Sequence, residues 1–333
     1  MLNSTRSAVT LAGLAVATLS LAALTFSARQ QTADRMVLKL AHGLDTTHPV
    51  HIAMEFMAER LREKSRETMT IEIFPSEQLG SERECIEQVQ LGSIDMTKAS
   101  TAATEQFVPE TGVFSLPYLF RDEHHYWGVL NGEIGREILD AGRHVGLHGL
   151  TYFDAGARSF YTKQRPIQGP SDLQGMKIRV QQSQTAMTLI ETLGGAPTPI
   201  PWGELYTALQ QGVVDGAENN PPSFYTSRHY EVCKYYSLDE HTLVPDILVI
   251  SDVVWNNLSP DQQRHLAEAA AEASVYQRKI WAEQSAQALE ALEQAGVEII
   301  HPDKIPFADA VASMLSEQEH PAVSNLVERI QAR

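Results

Sequence analysis

An α/β fold of two lobes is predicted by three observations. Strand-like and helix-like segments alternate from Met36 onward, and 333 residues exceed what one ordinary core accommodates. The tail adds an amphipathic helix signal running from Pro260 to just before Gly296, long enough to be expected to span both lobes.

The first unit reads in order. "VLKLAHG" alternates apolar and polar residues as a strand does, and "PVHIAMEFMAERLREKSR" has the apolar period of a helix. "MTIEIFP" is a second strand, "SERECIEQVQLG" a second helix and "SIDMTKAS" a third strand. This βαβαβ order calls for a mostly parallel sheet with helices on both faces. Ligands gather outside the carboxyl ends of such strands, so the loops "AHGLDTTHP", "FPSEQLGSE" and "KASTAATEQ" should lie together.

A second unit begins near Gly149. "LTYFDAGARSFYT" reads as a strand pair or one long bent strand, "GMKIRVQQS" as a strand and "QTAMTLIETLG" as a helix. "APTPIP" is a further strand, followed by a helix from Trp202 to Gln211 and a short strand ending at Ala217. Pro221 and Pro222 should stop that strand and begin a crossing. "VPDILVISDVVW" is apolar almost throughout, as a central strand buried on both faces would be. Ser259, Pro260 and Gln262 form a cap, an N1 proline and a capping-box partner for the long helix.

The formal net charge of −16 argues against nucleic acid or an anionic membrane surface as partner. At the start, Arg6 precedes an apolar run from Ala8 to Phe26, and Thr25 and Ser27 are small residues suited to a cut after Ser27. Residues 1–27 therefore read as a secretory signal peptide, with an uncleaved membrane anchor as the alternative. Export would permit a disulfide between Cys85 and Cys233; two buried thiols are the other reading. No GxSxG, GxGxxG, P-loop or HExxH motif occurs, and no cofactor is implied. His42, His48 and His51 cluster, but their spacing suits hydrogen bonding better than zinc, and His42 stands out at a strand's carboxyl end.

The second unit concentrates the informative polar groups: Arg158, Arg179 and Asn219, all at strand ends. Two guanidinium forks and an amide make a natural clamp for a carboxylate. The carboxylate could belong to a ligand or to an Asp or Glu of the chain itself. Gln181 lies on the same face as Arg179, two residues on.

Read together, "FPSEQLGSERECIEQVQLGSIDM", "VFSLPYLF", "LQGMKIRV", "GAPTPIPWGELYTALQQGVVDGAEN" and "HPDKIPF" resemble the extracytoplasmic solute receptors of TRAP (tripartite ATP-independent periplasmic) transporters. The resemblance covers almost the whole mature chain. It implies the two-lobe periplasmic binding protein fold, with strands crossing between lobes and a long helix bracing both. It implies hinge closure on an organic acid and delivery to TRAP membrane permease subunits driven by an ion gradient, with no catalysis. Residues 36–155 and 246–283 would form lobe I, and 156–245 and 284–325 lobe II. By motif, Arg179 matches the arginine gripping the substrate carboxylate, Asn219 the amide on the same group, Arg158 a supporting arginine and Trp202 an aromatic against the ligand. Glu82 and Ser100 match cleft-facing positions of the first lobe.

The polar first-lobe candidates His42, Asp45, Glu82, Lys98 and Ser100 suit a hydroxyl-rich ligand. "AHGLDTTHPVH" and "ENNPPSFYTSRHYEV" further resemble the receptors that take hexuronates such as glucuronate and galacturonate. An aldonate, or a C4 dicarboxylate with Lys98 as its second cationic anchor, is the alternative acid. An exported sugar-acid enzyme with Glu82 and His42 as acid and base, or a receptor serving a sensor, is the alternative function.

Overall fold

The computed structural model describes residues 35–318 and 320–333, so the expected signal peptide lies outside the described residues. Among them, no helix is long and apolar enough to cross a membrane.

The chain builds two mixed sheets. The first comprises β1 (Met36–Ala41), β2 (Met69–Phe74), β3 (Met96–Ser100), β4 (Leu147–Phe153) and β10 (Asp246–Ser251), in the order β2-β1-β3-β10-β4. The second comprises β5 (Ala157–Thr162), β6 (Lys177–Val180), β7 (Ala196–Pro199), β8 (Gly216–Asn219), β9 (Tyr235–Leu243) and β11 (Glu298–Ile300), in the order β11-β9-β5-β8-β6-β7. The predicted βαβαβ start is present: β1 pairs with β2 and β3 in parallel, through helices Pro49–Lys64 and Glu82–Gln90.

Two crossings join the sheets. "LTYFDAGARSFYT" is indeed two strands, but they belong to different sheets, with Asp154–Gly156 as the link. The chain returns between Leu243 and Asp246. Phe153 pairs with Asp246 and Ala157 with Leu243, so the two connections run side by side. The expected crossing at Pro221 and Pro222 is corrected. These prolines sit at the start of a helix, Pro221–Thr226, capped by Asn220, where a missing N–H costs nothing. The strand expected to end at Ala217 continues to Asn219. β10 is buried along its length and central, as its apolar run predicts, yet it runs antiparallel to both neighbours.

The long helix Pro260–Gln294 starts at the predicted capping box, with Ser259 and Gln262 bonded reciprocally. Leu266, Ala269, Ala270 and Ala273 pack in the core of the first sheet, whereas Leu292 packs with Leu205, Phe224 and Tyr236 in that of the second. Midway, Gln277 is fully buried. Its Oε1 accepts from the Asp154 N–H at 2.7 Å and its Nε2 donates to the Asp154 carbonyl at 2.8 Å, so the helix braces the first crossing as well as both lobes. Cys85 and Cys233 are free and buried.

Candidate functional site

The register of the second sheet gathers the three polar groups. β8 lies between β5 and β6; Asn219 pairs with Ser159, next to Arg158, and Arg179 pairs with Ala217. In β6, Lys177 is exposed but Ile178, Arg179 and Val180 are buried, so both faces of the strand are covered. The arginine on the polar half of this strand is 3% exposed and cannot be a solvated surface charge.

The two arginines differ in how they are satisfied. Arg158 is paired within the chain: Nε and Nη2 engage both carboxylate oxygens of Glu218, Nη2 also donates to the Glu218 carbonyl at 2.8 Å, and Nη1 donates to Asn219 Oδ1 at 3.0 Å. Burial alone would push the Glu218 carboxyl up, but Arg158 and His241 outweigh it and hold it down at about 2. His241, in turn, is lifted to about 9 by Asp239 and Glu218 against its burial. Arg179 has no such support. Its Nε donates to the Ile200 carbonyl at 2.8 Å, Nη1 has no partner, and no carboxylate among the described residues lies within 4.0 Å. Burial accordingly depresses its pKa below the ordinary arginine value. Trp202 supplies a ring face 5.8 Å from its guanidinium carbon.

Arg179 opens into a cleft between the two sheets, with about 500 Å³ of space counting the part open to solvent. From the second sheet's side it is lined by Arg158, Arg179, Gln181, Trp202, Asn219, Asn220 and Ser223; from the first by Gly43, Leu44, His48, Glu82, Lys98, Ser100 and Asp246. The three predicted loops do converge here. Eight of the ten candidate ligand residues named from the sequence line this cleft, and two do not. His42 is corrected: it is 1% exposed, its Nδ1 accepts from the Leu44 N–H at 3.1 Å, and its Nε2 faces His51 Nδ1 at 3.0 Å. Asp45 is corrected too, since its Oδ1 accepts from the backbone and hydroxyl of Thr47 in an exposed turn. Both lie in the right loop but spend their polar atoms on shaping it.

His48 reaches the cleft instead. As N-cap of helix Pro49–Lys64 its Nδ1 accepts from the Val50 N–H at 3.2 Å, so Nε2 carries the hydrogen and donates to Ser223 Oγ at 3.1 Å. Burial, then Lys98, pull its pKa down to about 3, so the ring is neutral at physiological pH. The Ser223 hydroxyl hydrogen stays uncommitted. Asn219 is oriented likewise: its Oδ1 accepts from Arg158 and from the Asn220 N–H, freeing Nδ2. Asn220 Oδ1 accepts from the Ser223 N–H. The second sheet thus presents chiefly hydrogen-bond donors to the cleft.

The first sheet presents acceptors. Lys98, 3% exposed, lies 3.2 Å from both Glu82 Oε1 and Asp246 Oδ2, which outweigh its burial and raise its pKa. Burial pushes Asp246 up, against the pull of Lys98. Glu82 Oε1 also accepts from the Ser100 N–H, and Ser100 Oγ donates to Gln181 Oε1 at 3.2 Å, joining the two sides. Lys98 is therefore committed and unsuited to anchoring a second ligand carboxylate. Asn220, Ser223 and Asp246 were not singled out in the sequence, and His48 was named only within the histidine cluster. His48 carried a signal, standing directly before Pro49 at a helix start. Asp246 carried none under the carboxyl-end rule, because β10 is antiparallel and brings its first residue beside Ser100.

Two lobes, strands crossing between them and a polar cleft at the crossing define the class of periplasmic solute-binding proteins. The family described as bacterial extracellular solute-binding protein, family 7 (DctP), matches residues 40–320, and the chain belongs to it as a TRAP solute-binding protein. It is similar to a TRAP periplasmic solute-binding protein of Bradyrhizobium sp. BTAi1 in complex with α/β-D-galacturonate: identity is 41%, the match covers 89% of this chain and 99% of the other, and the TM-score is 0.87. It is equally similar in fold to one from Anaerococcus prevotii with bound α/β-D-glucuronate, at 38% identity, 90% and 98% coverage and TM-score 0.87. The 2,3-diketo-L-gulonate-binding periplasmic protein YiaO of Escherichia coli is 30% identical over 84% of this chain and 86% of its own length. A family of solute-binding proteins makes the chain a receptor rather than an enzyme.

Proposed function

We propose that the chain is exported to the periplasm after loss of its signal peptide, closes on a hexuronate such as glucuronate or galacturonate, and delivers it to the TRAP membrane permease. The observation that carries this reading is Arg179, a buried guanidinium paired with no carboxylate among the described residues, beside a wall of donors. The ligand's carboxylate supplies that partner, with Asn219 Nδ2 beside it, and its hydroxyls meet the acceptors opposite. Lobe I comprises residues 36–155 and 246–283, and lobe II residues 156–245 and 284–325. Contacts between the lobes outside the cleft support closure. Glu105 accepts from Thr185 N at 3.2 Å, from Thr185 Oγ1 at 2.6 Å and from the Ser183 hydroxyl, and Glu77 accepts from Gly203 N at 3.1 Å. Each carboxylate of lobe I thus meets the start of a lobe II helix.

A thermal-denaturation panel tests the reading. D-glucuronate or D-galacturonate at 100 times its dissociation constant adds about 2.7 kcal/mol of stability and raises the midpoint by several degrees. An aldonate should act more weakly and a C4 dicarboxylate not at all. Stabilisation by the dicarboxylate alone, or by no acid in the panel, overturns the reading.

A further inference from the structure

The second hydrogen-bonding wall of the cleft carries a charge pattern that the capture of one carboxylate does not use. Lys98 is held between Glu82 Oε1 and Asp246 Oδ2, each at 3.2 Å, and all three side chains line the cleft. Two carboxylates on one ammonium leave this wall with a net negative charge. Glu82 Oε2 and Asp246 Oδ1 accept no hydrogen bond from the described residues, whereas the donors of Lys98 and Ser100 point to their other oxygens. The wall is polarised toward accepting hydrogen bonds, opposite the donors Arg179, Asn219, Asn220 and Ser223.

We propose that Glu82 and Asp246 form a charge filter: their free oxygens accept the hydroxyls at the end of the sugar acid remote from its carboxylate, and their charge rejects any ligand bearing a second carboxylate at that end. This rests on the hexuronate reading and goes past it, because it assigns the discrimination between a uronate and the dicarboxylate formed from it by oxidation at C1. The two also differ in shape, since the uronate closes to a pyranose ring and the dicarboxylate is an open chain, so the change of preference on removing one wall charge, rather than the wild-type preference alone, isolates the filter. A buried carboxylate facing a hydroxyl gains a charge-assisted bond; facing a second carboxylate it gains none and adds like-charge repulsion in a site shielded from water. Lys98 makes the filter tolerable to the fold. It keeps the two carboxylates from standing unpaired in the interior while leaving one oxygen of each for the ligand.

The test is calorimetric titration of the wild-type chain, Glu82→Gln and Asp246→Asn with D-galacturonate and with galactarate, its dicarboxylate. Wild type should favour galacturonate on the order of a hundredfold or more. Each amide variant keeps the shape of the wall, removes one charge and adds an N–H donor. Galacturonate binding should fall, and the galacturonate-to-galactarate affinity ratio should shrink at least about tenfold. Melting curves establish that the variants are folded. A wild-type ratio near one overturns the filter whatever the variants do, and so does an unchanged ratio in both folded variants. If the wild type binds neither acid, the hexuronate reading falls and the filter with it; if it binds galacturonate but the ratio stays fixed, the filter alone falls.

Discussion

Arg179→Met should lose on the order of a hundredfold or more in hexuronate affinity, read by calorimetry, without losing stability. Truncating one partner of a buried hydrogen-bonded charge pair costs about 2 to 5 kcal/mol of binding, or roughly thirtyfold to several thousandfold. Yet in the ligand-free chain this guanidinium is an expense. It is buried, its Nη1 is unpartnered, and its pKa is depressed by the environment it sits in. Replacing it with an apolar side chain of similar length removes an uncompensated charge, so the free protein should melt at or above the wild-type temperature. Arg179→Lys should not rescue binding, because an ammonium cannot reproduce the two-pronged grip on a carboxylate while also serving the Ile200 carbonyl. A variant that binds like the parent would refute the assignment, and one that merely unfolds would make Arg179 a structural residue.

Arg158→Met should behave in the opposite way. Here the guanidinium is committed to Glu218, which is itself buried and is held ionised chiefly by this arginine. Removing the arginine leaves a carboxylate in the interior with His241, 3.6 Å away, as its remaining cation. The expected loss is about 3 to 5 kcal/mol of folding stability, measured by denaturant unfolding. Adding Glu218→Gln to the same chain should recover much of it, since the orphaned charge is then gone. A stable single variant with weakened binding would show that Arg158 serves the ligand and not the fold.

That contrast marks where the sequence was informative. Pattern placed Arg158 and Arg179 alike, at strand ends, and left each with two candidate partners, a ligand or an internal acid. Glu218 lies one residue before Asn219, on the opposite face of an ideal strand, and nothing in its spacing announced that it would turn its carboxylate onto Arg158. The long helix was legible because its cap, proline and period are all local. The crossings were legible only in part, since Pro221 and Pro222 look like a strand terminator but begin a helix, while the return through Val244 and Pro245 depends on which sheet receives β10. The same tertiary fact hid Asp246. Among the histidines, sequence found the right loop and the wrong ring, because His42 and His48 differ in direction and not in kind.

A crystal structure of the complex with D-galacturonate measures the central claim most directly. The ligand's carboxylate is expected on Arg179 Nη1 and Asn219 Nδ2, under the ring of Trp202, with hydroxyls toward Glu82 and Asp246. A carboxylate seated on the Lys98 side, or a ligand outside this cleft with Arg179 still lacking an anion, would contradict the account.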